Sequence, residues 1–155
     1  MPRKIKIFVW LTLQNRLLTK IYRAKWRPAE STDCAMCQAE PESVKHLLLR
    51  CPATVRLWGE LSRATGASLN YSSLTEFRDA MSNPAPLSAH ALPNRFTRLL
   101  LPPGLWTIWR GRNGALFRGQ RVYFENIWDT TLHLLQDWGR HLAGLSRVYY
   151  LEGEL

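Results

Sequence analysis

The spacing of four residues of metal-ligand type constrains this chain more than any other feature. Cys34, Cys37, His46 and Cys51 form the pattern C-x2-C-x8-H-x4-C, and the chain contains no other cysteine. A tight turn can aim two thiols with this spacing at one point, and a histidine with a third thiol completes a tetrahedral set, the geometry that Zn2+ prefers. We therefore predict one bound Zn2+ ion on these four side chains.

The predicted zinc is structural, because the protein fills all four coordination positions and leaves none for water or substrate. Glu40 and Glu42 are close in sequence, but a carboxylate base is of no use beside a closed site. We assign no catalytic residue and no small-molecule substrate to the chain. The alternative, in which three buried thiols and a core histidine are neighbours by chance, is disfavoured by the spacing.

The cysteine count also indicates the compartment. Three cysteines, an odd number, all lie within residues 34–51, which argues against a secreted disulfide framework and for a reducing intracellular compartment, nucleus or cytoplasm. The apolar run that follows the basic start ends at Gln14, too early for a signal peptide, and no stretch approaches the roughly 18 apolar residues of a membrane span. We expect no membrane association.

Helix signals recur along the chain and predict a mainly α fold. Thr19 and Ser43 can cap short helices, Pro52 and Gly66 can begin and end another, and Ser73 with Glu76 forms a capping box. Val55, Trp58 and Leu61 are expected to share the buried face of the helix after Pro52. The predicted segments are a zinc module (1–66), a capped short helix with a proline-rich linker (67–102), and a Trp-rich helical hairpin (103–155).

The hairpin is predicted from two apolar patterns. Pro103 can start a helix that carries Trp106, Trp109 and Phe117, all expected in the core. The second helix has a heptad seam, which packs against the first helix or mediates self-association. Its members are Phe124, Trp128, Thr131, Leu135, Trp138, Leu142 and Leu145. His90, His133 and His141 have no ligand-spaced partners and are predicted to be ordinary histidines.

The positive charge is concentrated at the start of the chain. Residues 1–29 hold eight Lys or Arg and no acidic residue, while the rest is nearly balanced. Such a segment can neutralise the phosphates of DNA or RNA, although a solvated helix face is the alternative reading. The candidate nucleic-acid-binding residues are Arg3, Lys4, Lys6, Lys20, Arg23, Lys25 and Arg27. Tyr22 and Trp26 could stack on bases but are expected in the core. A second basic stretch later in the chain consists of Arg110, Arg112, Arg118 and Arg121.

The N-terminal half resembles a known family. The segment PRKIKIFVWLTLQNRLLTKIYRAKW, followed by the CCHC spacing and HLLLRCP, is similar over about residues 2–60 to the zinc-binding domain of plant LINE-type (non-LTR) retrotransposon reverse transcriptases. Lys6, Phe8, Trp10, Leu11, Leu18 and Thr19 fit the family pattern, and the four metal ligands match one for one. Farther on, Trp106, Trp109, Arg112, Asn113 and Phe117 match a segment that follows this domain in the same elements, with Pro102-Pro103-Gly104 as a departure.

The resemblance implies a retroelement-derived module. Such elements carry a polymerase domain upstream and often an RNase H domain downstream, and we expect neither here, since the chain lacks paired aspartates for two Mg2+ ions. We therefore predict a protein that is not an enzyme and that binds nucleic acid weakly. The alternatives are a protein-interaction adaptor that uses the Trp-rich C-terminal helices, and a truncated element fragment without function.

Overall fold

The computed structural model describes residues 1–82 and 92–140, with side chains over 1–82 and 99–138. Within these ranges the chain is helical and contains no strand, which confirms the mainly α prediction. The only β pairing there is an isolated antiparallel bridge between Asp33 and Pro41. The helices are α1 (Arg3–Leu13), α2 (Lys20–Arg23), a π-helical turn (His46–Arg50), α3 (Pro52–Thr65), α4 (Leu74–Ser82), α5 (Leu92–Arg118) and α6 (Phe124–Arg140).

Several helix ends lie at the predicted capping residues. The Thr19 hydroxyl accepts the Tyr22 N–H at 3.4 Å, and the Ser43 hydroxyl accepts the His46 N–H at 2.9 Å. Pro52 is the first residue of α3, where its missing N–H costs nothing. Gly66 ends α3 with φ 71°, a left-handed conformation that favours glycine.

The capping box of α4 differs from the prediction by one residue. Ser73 accepts the Glu76 N–H at 3.1 Å as expected, but the Glu76 carboxylate reaches Ser72, whose backbone N–H donates at 2.8 Å. The Ser72 hydroxyl also donates to this carboxylate. These hydrogen bonds lower the pKa of Glu76.

Helix α5 begins at Leu92 and contains Pro102 and Pro103 in its interior, so the prediction that Pro103 starts this helix was wrong. A proline inside a helix removes a hydrogen bond and costs about 3 kcal/mol, a cost that packing can offset. Leu100 and Leu101 before the prolines and Leu105 and Ile108 after them are fully buried. The predicted proline-rich linker is NPAPLSAHALPN, residues 83–94. Its residues 83–91, including His90, lie outside the described residues, and residues 92–94 are helical.

The described helices share one apolar core, and α5 lies at its centre. It contacts α1, α3, α4 and α6, and the core includes Ile5 and Phe8 of α1 with Leu57 and Leu61 of α3. Trp58 is buried and its indole N–H donates to the Leu48 carbonyl at 2.9 Å. Val55 is 52% exposed, so its predicted place on the buried face was wrong, and Thr54 is buried instead. The predicted three-segment division stays a prediction.

The seam of α6 packs within the chain. Thr131 and Leu135 are buried, and Phe124, Trp128 and Trp138 pack against the core at its edge. Leu142, Leu145 and His141 lie outside the described residues. In the part of the chain that the structure describes, no helix is long and apolar enough to cross a membrane.

Two glycines provide a test of the packing of α3 against α5. A Cβ at Gly104 would lie 2.6 Å from a ring carbon of Trp58, whereas a Cβ at Gly59 in α3 meets nothing within 4 Å. Gly104→Ala should therefore lower the free energy of unfolding by about 1–3 kcal/mol through overpacking. Gly59→Ala should raise it by up to about 1 kcal/mol through helix propensity. Urea denaturation of the zinc-loaded protein measures both, and shifts of the same sign would contradict the described packing.

Candidate metal centre

The fold brings the four predicted ligands together. One ligand atom from each of Cys34, Cys37, His46 and Cys51 can be chosen so that all four lie within 4.8 Å of one another. Cys34 and Cys51 are fully buried, His46 is 5% exposed, and Cys37 lies at the edge of the site. Among the described residues, no other group of three or more His, Cys, Asp or Glu side chains converges in this way.

The spacing of the donor atoms fits zinc. Bond lengths of about 2.3 Å to sulfur and 2.0 Å to nitrogen place the ligands of a tetrahedral zinc roughly 3.5–3.8 Å apart. The Cys34 and Cys51 sulfurs are 4.0 Å apart, and the Cys37 sulfur is 3.3 Å from His46 Nε2. Small side-chain adjustments bring both distances into this range. The residues are therefore arranged as a single Cys3His zinc site, in which the ion would link the four ligands.

A short turn aims the first two thiols. The Cys34 N–H donates to the Glu40 carbonyl at 2.8 Å, and the Gln38 N–H donates to the Cys34 carbonyl at 2.9 Å. Gln38 has a φ of 56°, which reverses the chain directly after Cys37. The Asp33–Pro41 bridge and a bond from the Glu42 N–H to the Thr32 carbonyl, at 2.8 Å, close the base of this turn. We call residues 32–42 the knuckle.

The π-helical turn supplies the other two ligands. The Cys51 N–H donates to the His46 carbonyl at 2.6 Å, an i to i+5 bond. The helix widens in this turn and ends at Cys51, which has ψ 134°. That extended conformation is the one favoured before a proline, here Pro52. The widened turn accounts for the H-x4-C spacing.

Glu40 orients the histidine. Its carboxylate lies 3.1 Å from His46 Nδ1, so an N–H at Nδ1 leaves Nε2 free to bind the metal. Sequence analysis considered Glu40 only as a base. The geometry gives it the role of a second-layer partner, a common companion of zinc-binding histidines.

The pairing of two thiols prepares the site for a cation. The hydrogen bond with Cys51 lowers the pKa of the Cys34 thiol to about 5 against the opposing effect of burial, and backbone N–H groups of Cys37 and Met36 add to the lowering. The same pairing, together with burial, raises the pKa of Cys51. A metal that binds here must displace the thiol protons that remain.

A buried ion pair joins the knuckle to α5. Glu42 is fully buried and Arg112 is 1% exposed. One carboxylate oxygen of Glu42 accepts from Arg112 Nε at 3.0 Å and from the Lys20 N–H at 2.9 Å, and the other accepts from the Ala35 N–H at 3.0 Å. Arg112 also donates to the Leu18 carbonyl at 3.1 Å.

This clamp, Glu42 with Arg112, was missed from the sequence. Arg112 was read as part of a basic stretch, and that reading was wrong, because its guanidinium is buried against the Trp109 ring at 4.8 Å. The sequence offered one indication that Arg112 has a special role, because Arg112 and Asn113 match an Arg-Asn pair in the resembling family segment.

The candidate nucleic-acid residues lie on the first two helices and the turn after them. Arg3, Lys4 and Lys6 are exposed on the first turn of α1, and Lys25 and Arg27 are exposed after α2. Lys20 and Arg23 are partly buried. Glu30 neutralises part of this surface, since its carboxylate pairs with Arg23 at 3.2 Å and with Arg27 at 3.1 Å.

Only some of the aromatic residues predicted to lie in the core do so. Trp106 and Trp109 pack on Phe8, with ring centroids 5.4 and 5.8 Å away, as expected of core residues. Trp26 is 65% exposed and Phe117 is 64% exposed, so their predicted burial was wrong. Trp26 contacts Tyr22 edge to face. His133 is exposed on α6, as predicted for an ordinary histidine.

Comparison with known proteins adds the family context. Residues 1–58 match the family model described as zinc-binding in reverse transcriptase. This confirms the predicted resemblance over that part of the chain, and all four ligands lie inside it. The match does not reach Trp106–Phe117, whose likeness to the family stays a prediction.

A curated relative agrees with the family match. The chain is 32% identical over 57 residues to a putative ribonuclease H protein of Arabidopsis thaliana. The aligned region covers 37% of this chain and 9% of that protein, so the chain spans a small part of its relative's length. No solved structure matches the chain.

The site predicts one zinc per chain. His46→Asn should lower zinc content and loosen the N-terminal half, because the binding energy of a closed site is normally folding energy. Cys51→Ser should act in the same way. His133→Asn is the matched control, since His133 is exposed and contributes no ligand atom. Elemental analysis and limited proteolysis measure the two effects; a metal-free protein that keeps a protease-resistant zinc module would refute the structural role.

Because the Glu42–Arg112 ion pair is buried, we expect one isosteric substitution to lower the free energy of unfolding strongly. Glu42→Gln leaves the Arg112 charge buried without its counter-ion, which should destabilise the protein by about 3–5 kcal/mol. Glu60→Gln is the control, because Glu60 pairs with Arg63 at the surface, where such pairs contribute about 0–1 kcal/mol. Urea unfolding at saturating zinc compares the two, and equal effects would show that the Glu42 charge is not required.

Proposed function

We propose that the protein is a non-catalytic, zinc-stabilised, retroelement-derived module that binds DNA or RNA weakly and with little sequence preference. The observation that carries this proposal is the exposure of Arg3, Lys4, Lys6, Lys25 and Arg27 on the same module that holds the zinc ligands. Clustered cations of this kind attract phosphates and release counter-ions on binding.

The chemistry of the ligand set supports a structural zinc. Three thiolates and one imidazole leave no position for water, so the ion would hold the knuckle and the π-helical turn together. Glu40 and Glu42 are already engaged, the first with His46 and the second with Arg112. Neither carboxylate is free to act as a base beside the metal.

Weak and sequence-tolerant binding follows from the kind of contacts available. Lys and Arg side chains on short helices contact phosphates, which position a nucleic acid but carry no sequence information. Helix α2 has only four residues, Lys20–Arg23, too few to serve as a recognition helix in the major groove. Glu30 further reduces the net charge beside Arg23 and Arg27.

The rival reading, a protein-interaction adaptor, relied on the Trp-rich C-terminal helices. Trp106, Trp109, Trp128 and Trp138 pack against the core, which leaves these residues less surface for a partner. This favours the nucleic-acid reading. Self-association through α6 is likewise less favoured, since its described seam residues pack within the chain.

Charge reversal tests the proposal. The variant Lys20→Glu, Arg23→Glu, Arg27→Glu should lose binding to oligonucleotides, because it replaces three cations of one surface with anions. For the unmodified chain, about four to six phosphate contacts predict a loss of roughly two to three orders of magnitude in affinity between 50 and 200 mM salt. Fluorescence anisotropy titrations measure both effects.

A matched control separates local charge from net charge. Arg16→Glu, Arg50→Glu, Arg63→Glu changes the net charge equally at three exposed positions that are not among the candidate nucleic-acid-binding residues. It should retain most of the binding. Tight binding that is insensitive to salt, or equal losses in both variants, would overturn the proposed surface, and zinc content confirms that each variant is folded.

A further inference from the structure

A second basic site lies at the connection between α5 and α6. Here the chain forms a cavity of about 170 Å3 that is open to solvent. Three arginines line it together with polar and apolar groups, and none of its described lining residues is acidic. The lining residues that matter here are Arg110, Arg118, Arg121, Tyr123 and Asn126.

The connection that holds these arginines is ordered by local contacts. Gly119 ends α5 with φ 60°, so the chain reverses between Arg118 and Arg121. The Gln120 N–H donates to the Gly114 carbonyl at 3.1 Å, and Arg118 Nε donates to the Gln120 side-chain oxygen at 3.3 Å. The reversal thus brings together two arginines from either side of the turn and Arg110 from the preceding helix.

In the described part of the chain, no carboxylate pairs with the arginines of this site. Among the described residues, Arg23, Arg27, Arg63 and Arg112 all pair with carboxylates. Arg110, Arg118 and Arg121 form no such pair within that part of the chain. Three cations around one concave surface, with no counter-ion among the residues that the structure describes, favour a phosphate group.

An exposed aromatic ring connects this cavity with the basic surface of α2. Phe117 is 64% exposed, and it lies two helical turns after Arg110, so both are on the same side of α5. The Arg23 guanidinium lies 5.6 Å from the Phe117 ring centroid. Phe117 directly precedes Arg118 in the chain, so its ring lies between a basic residue of α2 and the arginines at the end of α5 in this part of the surface.

We infer that the Arg110–Arg118–Arg121 cavity binds a backbone phosphate of single-stranded nucleic acid while Phe117 stacks on an adjacent base. This inference rests on the proposed function and deepens it. Alternation of cations with an aromatic ring is typical of single-strand binding, in which stacking is tolerant of sequence. A base within a duplex already stacks on its neighbours and presents no free face to Phe117. The site therefore selects single strands.

The phosphate half of the site is tested by neutralising two arginines. Arg118→Gln, Arg121→Gln should reduce the dependence of log affinity on log salt for an oligothymidine by about 0.7, since the cavity holds one phosphate and each lost phosphate contact to a single strand contributes about 0.7. Arg50→Gln, Arg63→Gln is the control, with the same change in net charge at exposed positions outside both basic surfaces. It should leave the slope nearly unchanged.

The stacking half is tested with Phe117→Ala. Loss of one stacked base should weaken oligothymidine binding roughly 5- to 150-fold, and it should leave the affinity for an abasic strand of the same length unchanged. Val55→Ala is the control, because Val55 is a comparably exposed apolar residue, 52% accessible, on α3. The unmodified protein should prefer oligothymidine over a duplex of the same length.

The outcomes separate this inference from the proposed function. If the unmodified chain binds no nucleic acid, both are wrong. A second outcome is that the chain binds and that the triple reversal of Lys20, Arg23 and Arg27 abolishes binding. If the Arg118→Gln, Arg121→Gln variant and Phe117→Ala then have no effect, the proposed function holds and this site is refuted. An equal loss of affinity for abasic and base-containing strands on Phe117→Ala refutes stacking. Preference for the duplex refutes single-strand selection.

Discussion

The buried carboxylate of Glu42 is the interaction on which the arrangement of the zinc module depends. A charge removed from water must be paired and hydrogen-bonded, or its desolvation outweighs what its burial contributes. Glu42 meets this demand with groups from three separate parts of the chain: the Lys20 N–H at the start of α2, the Ala35 N–H inside the knuckle, and the Arg112 side chain of α5. All three groups donate to the two oxygens of the Glu42 carboxylate. If any one of these segments moved away, the buried charge of Glu42 would lose a hydrogen bond. The metal ligands and the central helix are therefore held in one frame.

Local patterns predicted well where the deciding interaction is local. Thr19, Ser43, Pro52 and Gly66 mark helix ends because each acts on backbone groups within a few residues of itself. The four zinc ligands were found for the same reason, since their spacing lies within 18 residues. The clamp could not be found in this way. Glu42 and Arg112 are 70 positions apart, and nothing in the composition distinguishes a buried pair from two surface charges.

Tertiary packing overrode the local signal in α5. Two consecutive prolines normally favour a helix start, yet the apolar residues on both sides are buried against α1, α3 and α4, so the helix continues through them. The arginines of α5 lie on different sides of the helix. Arg112 points into the core, whereas Arg110 and Arg118 are exposed beside α6. A basic stretch read from sequence alone does not show this division, and Phe117 was assigned to the core on spacing that it shares with Trp106 and Trp109.

The π-helical turn has a consequence for how the module can vary. The five-residue step from His46 to Cys51 sets the rotation at which α3 leaves the metal site. A helix turns by about 100° per residue, so a deletion that restored regular α-helical spacing would rotate Leu57, Trp58 and Leu61 away from α5 even if the ligands still closed around the ion. The number of residues between His46 and Cys51 thus sets which face of α3 is turned towards α5. Insertions and deletions should be tolerated far better in the exposed loops of the chain than between these two ligands.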